Sequence, residues 1–163
     1  MMKRAFLVLV VLLISVALPI AFFATVPRRS LDHRVGKALT HMSTLELAIV
    51  MYLDEFGALP VASERRGASQ EPGRLARILK GDNAEGKKFV ERLARCSDNG
   101  GFADPWGRPY HVCFDTDADG RAEVGGNAVP KFIAIWSDGP NRVNEHGDGD
   151  DISNWRNVED YMR

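Results

Sequence analysis

Cysteine is scarce: the chain of 163 residues has two, Cys96 and Cys113, without C-x-x-C spacing. With His111 they offer only three candidate ligands, which speaks against a zinc site. Excess charge of either sign is missing too, since 21 Lys and Arg face 22 Asp and Glu for a net charge of −1. No Lys/Arg stripe is interleaved with aromatics, so a nucleic-acid footprint is excluded. Enzyme signatures are equally thin. There is no G-x-S-x-G, no Walker loop and no Gly-rich dinucleotide fingerprint. His33 and His41 have no Glu in H-E-x-x-H register, and His146 has no nucleophile or oxyanion hole to serve. Catalysis and a small-molecule substrate are therefore not expected. No internal repeat or low-complexity tract is visible, and 45% apolar with 26% charged residues is an ordinary globular composition.

What is present begins with an uncharged apolar run from Ala5 to Val26, preceded by Lys3-Arg4 and followed by Pro27-Arg28-Arg29. As a helix it would span about 33 Å, the thickness of a bilayer core. Residues 1–29 are therefore expected to be a transmembrane anchor or signal segment, and residues 30–163 a separate folded domain. Ser15-Val16-Ala17 offers small residues at a signal-peptidase site, so anchor and cleaved signal both stay open. Either reading sends the domain out of the cytosol, where disulfides persist. A Cys96–Cys113 pair would close a loop of about 18 residues, stabilising by about 3 kcal/mol. Two unconnected buried thiols are the alternative.

From Leu31 to Phe56, apolar residues recur at alternating spacings of four and three: Leu31, Val35, Ala38, Met42, Leu45, Ile49, Tyr52 and Phe56. That pattern predicts one helix with one buried face. Ser30 can cap its start, Gly57 suits its end, and Pro60 prevents continuation. The helix is expected to continue from the anchor as one long N-terminal helix. Helical patterns also cover Gly73–Leu79 and Ala84–Arg95. The period then changes to two, with strands expected over Pro109–Asp115 and Lys131–Ser137 and a short one over Arg121–Val124. Helix first and antiparallel strands after is an α+β plan.

Two segments have cation chemistry. Asp115-Thr116-Asp117-Ala118-Asp119-Gly120 begins like an EF-hand loop, but the twelfth position is Gly126 instead of a bidentate Glu. A turn using Asp-Gly fits better. Ser137 to Trp155 packs five carboxylates, three Asn and three Gly into one loop-like segment after a strand. Glycines let the backbone turn sharply, and Asp supplies the short hard oxygens that calcium takes six to eight at a time. Crowded carboxylates also repel one another unless a cation lies among them. A solvated acidic loop is the competing reading.

Asp104-Pro105-Trp106-Gly107-Arg108-Pro109-Tyr110, followed by Ser137-x-Gly139-x-Asn141 and Asp150-Asp151-Ile152-x-x-Trp155, resembles the major pseudopilin of type II secretion systems, a type IV pilin-like family. Leu45 to Pro60 is similar to the end of that family's long helix, and the resemblance covers roughly residues 31–155. It implies a long N-terminal helix, membrane anchor plus amphipathic half, packed on a small antiparallel sheet. It also implies Ca2+ held before the C-terminus by Asn141, Asp150 and Asp151, with a backbone carbonyl near Asp138. Local chemistry adds Asp148 to that set. The implied role is a structural subunit of a periplasmic filament, anchored by a single pass in the inner membrane and associating with itself or other pilin-like subunits. Trp106 and Trp155 would clamp the loop onto the sheet. Three features depart from the family: no Gly before the apolar run and no Glu within it, Asn141 where Asp is usual, and extra residues between Asn141 and Asp150. The alternative is a membrane-tethered calcium-binding module that never polymerises.

Overall fold

The computed structural model describes residues 31–60, 69–91 and 97–162. Helix α1, His33–Phe56, opens at Asp32, whose Oδ1 accepts the Arg34 amide at 2.7 Å. Asp32, and not Ser30, is therefore the cap, and the side chain satisfies one of the helix's orphan amides. Gly57 closes the helix in the left-handed conformation, its N–H donating to the Leu53 carbonyl. Val35, Ala38, Met42, Leu45, Ala48 and Ile49 are buried along one face. Tyr52 and Phe56, half-buried, meet Phe89 at ring-centroid distances of 5.4 and 6.0 Å.

Strand β1, His111–Phe114, pairs antiparallel with β4, Ile133–Ser137, with Val112 opposite Ile135. β4 is central, because its other edge pairs with β5, Ile152–Ser153. A separate ribbon joins β2, Ala122–Val124, to β3, Asn127–Val129, through Gly125-Gly126. Both glycines have positive φ, as a two-residue hairpin turn with native twist requires. The tight turn is thus at Gly125-Gly126 and not in the Asp115–Gly120 segment, and β3 has no counterpart in the sequence reading.

Alternation along the strands separates two cores. Val112, Phe114, Ile133 and Ile135 face α1 and α2, Pro72–Leu79. Cys113, Ala134 and Trp136 face the ribbon, against Ala122, Val124 and Val129. Asn154 ties the layers together: Nδ2 donates to Glu46 Oε2 on α1 at 3.0 Å and to the Ile133 carbonyl at 2.9 Å, while Oδ1 accepts the Ile135 amide at 3.0 Å. A 3₁₀ turn, Val158–Tyr161, ends the domain, with the Tyr161 hydroxyl accepting from the Ser153 amide.

Two expectations need correction. The first is the long N-terminal helix combining anchor and amphipathic half. Helix α1 starts only at the Asp32 cap, and among the described residues no helix is long and apolar enough to cross a membrane. Its exposed positions include the charged Arg34, Lys37, Asp54 and Glu55. The single-pass membrane partner, the transmembrane assignment and the inner-membrane location built on that helix fall with it. Segment 1–29 itself lies outside the described residues.

The second correction is the helix over Ala84–Arg95, whose described part, up to Glu91, is irregular. Asn83 is the reason. Its Oδ1 accepts the Glu85 and Lys87 amides, and its Nδ2 donates to the Ile78 and Lys87 carbonyls. Such side-chain bonding competes directly with a helical backbone. The candidate Cys96–Cys113 disulfide involves Cys96, which is outside the described residues. Cys113 is buried, and burial pushes its thiol up to about 11.

Candidate functional site: an acidic loop closed on a buried carboxylate

The segment from Asp138 to Asp151 leaves the central strand and returns to it as β5. Its entry is fixed by the Asp-Pro-Trp-Gly element. Asp104 Oδ1 accepts the Trp106 and Arg108 amides, and Oδ2 accepts the Ser137 hydroxyl at 2.5 Å. Ser137 Oγ in turn accepts the Gly139 amide. Gly139 has no room for a side chain, since a Cβ would lie 2.2 Å from the Asp150 carbonyl oxygen. On the far side Trp155 packs edge-on to Trp136, at 6.0 Å between ring centroids, and lies against Gly147. Trp155 therefore clamps the loop, whereas Trp106 packs against the main core.

Asp151 is fully buried. Its Oδ2 accepts the amides of Glu145 at 2.9 Å and Gly147 at 2.8 Å, wrapping the loop around the carboxylate. Its Oδ1 is buried with no hydrogen-bond partner. Asp150 repeats the pattern, with Oδ2 accepting the Asn141 amide at 3.0 Å and Oδ1 buried and unpartnered. Glu145 completes the group: one oxygen from each of Glu145, Asp150 and Asp151 lies within 4.8 Å of the others. Burial, chiefly, pushes the Asp151 carboxyl up to about 6; the negative charges of Asp138 and Glu145 add to the rise and the two amide bonds oppose it.

The five sequence candidates divide. Asp150 and Asp151 come together. Asp138 is buried but turns its carboxylate to β1, with Oδ1 2.7 Å from His111 Nε2 and Oδ2 3.2 Å from Arg108 Nε. His111 is itself stacked on Trp136. Asp148 is exposed and enters the loop through its backbone, its carbonyl accepting the Asp151 amide. Asn141 borders the group: its Oδ1 accepts the Val143 amide at 2.6 Å and its Nδ2 donates to Glu145 Oε2. Glu145 is the residue that sequence reasoning missed. The one available signal was charge, because Asn141 contributes none and Glu145 was the remaining carboxylate of the segment.

This arrangement fits a hard divalent cation. Two orphaned buried carboxylate oxygens beside a third carboxylate are what a cation would satisfy, and each would otherwise cost the desolvation of a polar atom. Glu145, Asp150 and Asp151 are the side chains placed to hold it. Calcium bound there would supply charge neutralisation and cross-linking of the loop. Beside the His111–Asp138 pair, the Ser137 hydroxyl donates to Asp104. No family model matches this chain, and no curated protein compared with it does either.

Proposed function

We propose that the protein is a calcium-stabilised, non-catalytic structural subunit of a type II secretion or pilus-like assembly. The observation that supports this reading most is the fully buried, unpartnered Oδ1 of Asp151 inside a group of three carboxylates. The sequence likeness of the Asp-Pro-Trp-Gly and Asp-Asp-Ile-x-x-Trp elements to the major pseudopilins supplies the assembly part. In that role the cation locks the loop onto the sheet, giving the subunit a rigid C-terminal surface.

Thermal unfolding of the full-length protein in calcium, magnesium and chelator tests the cation. Linkage at a free calcium concentration 100-fold above Kd gives about 2.7 kcal/mol, or a midpoint higher by about 10 °C. Equal midpoints in all three would remove calcium from the proposal. The apolar run carries no Glu, which favours a second reading, a calcium-binding module that does not polymerise. Electron microscopy of the calcium-loaded protein separates the two: filaments support the subunit, and dispersed particles at all concentrations support the module.

A further inference from the structure

We infer that Glu145 is a side-chain ligand of the cation and that Asn141 is a positioning residue, its amide oxygen never reaching the ion. The inference rests on the calcium reading above and names which side chains serve that site. Asn141 is held by two bonds that fix which way its amide faces. Oδ1 accepts the Val143 amide at 2.6 Å, and Nδ2 donates to Glu145 Oε2 at 3.3 Å. Turning the amide over would set donor against donor at Val143 and acceptor against carboxylate at Glu145, so the network admits one orientation. In that orientation the group facing the carboxylates is an N–H donor, which cannot coordinate a cation.

Glu145 shows the opposite arrangement. Its Oε2 accepts from the Asp150 amide at 3.2 Å as well as from Asn141, which delivers the carboxylate to the orphaned oxygens of Asp150 and Asp151. Gly149, at φ 54°, makes the passage: a Cβ there would lie 2.1 Å from Glu145 Oε2. The backbone therefore leaves space at the point where the Glu145 carboxylate passes. With Glu145, the site has three carboxylates despite the amide at Asn141, and calcium affinity tracks that count.

Calorimetric titration of the full-length protein with calcium chloride tests the assignment. Glu145→Gln is expected to weaken calcium binding at least tenfold without lowering the midpoint in chelator, because the Gln oxygen can still accept from Asn141 and Asp150 and one of three crowded negative charges is gone. Gly149→Ala should reproduce the affinity loss by closing the passage, and Asn141→Ala should lose less than Glu145→Gln. Binding by Glu145→Gln within twofold of the unmodified protein, or a larger loss from Asn141→Ala, overturns the inference. If Asp151→Asn abolishes binding in that case, the calcium reading itself survives. An unmodified protein that binds no calcium overturns both.

Discussion

The two acidic loops, Asp115–Gly120 and Asp138–Asp151, use their carboxylates in opposite ways. By its letters the first opens as an EF-hand loop does, with D-x-D-x-D-G in place, and it brings Asp115, Asp117 and Asp119 together. Yet both oxygens of the buried Asp115 are taken by its own loop. Oδ1 accepts the Asp117 and Ala118 amides, and Oδ2 accepts the Gly120 amide at 2.7 Å. Burial alone would raise this carboxyl, but those bonds outweigh it and hold it below the usual range. The second loop gives Asp151 two amides on one oxygen and none on the other, and its carboxyl moves up instead. The lesson is that backbone amides compete with metals for carboxylate lone pairs. A motif lists donors without saying which are already engaged.

The comparison is broken most directly at Asp151. Asp151→Ala should abolish the calcium-dependent rise in unfolding midpoint and, in chelator, cost about 3 kcal/mol, because the Glu145 and Gly147 amides lose their acceptor. Denaturant melts with and without calcium read both effects. Next comes the clamp: Gly147→Ala would drive a Cβ to 2.1 Å from the Trp155 ring at φ 86°, destabilising by about 3 kcal/mol in either condition.

A smaller effect is expected from pH. The folded Asp151 carboxyl, at about 6, stands above its ordinary value of 3.8. The folded state thus holds the proton more tightly, and this contribution is complete below the ordinary value and lost as pH rises through about 6. In chelator the midpoint should fall by a few degrees between pH 5 and pH 7.5, and this fall should be absent in Asp151→Asn. In calcium the trend should reverse, because the ion needs the ionised carboxylate. An unchanged midpoint in chelator would count against the burial described for Asp151.

The least effect is predicted in the first loop. Asp117→Asn and Asp119→Asn should leave the calcium response unchanged, and Asp115→Asn should lower the midpoint equally with and without calcium. A calcium response that shrinks in any of the three would reverse the comparison.

Much of α1 was legible because its four-three spacing is long and its buried face continuous; Val35 to Ile49 lie where the pattern puts them. Strands β1 and β4 were legible from alternation and apolar content. The Ala84–Arg95 segment was not, because one side chain, Asn83, outcompetes the helix with bonds that periodicity does not record. Asn127–Val129 escaped notice because two of its three residues are exposed, leaving little pattern. At the candidate site, adjacency made Asp150 and Asp151 readable. The turning of Asp138 toward His111 and the arrival of Glu145 depend on the path of the loop. That path is set by contacts distant in sequence, such as Ser137 with Asp104.

Asn154 couples the end of the acidic loop to two layers of the domain. It follows Asp151 by three residues and rivets β4 to helix α1 through Glu46 and the Ile133 carbonyl. Helix α1 and the central strand also meet through the main core, which does not include the acidic loop. The C-terminal end of the loop is thus followed, within three residues, by a side chain bonded to both the central strand and helix α1.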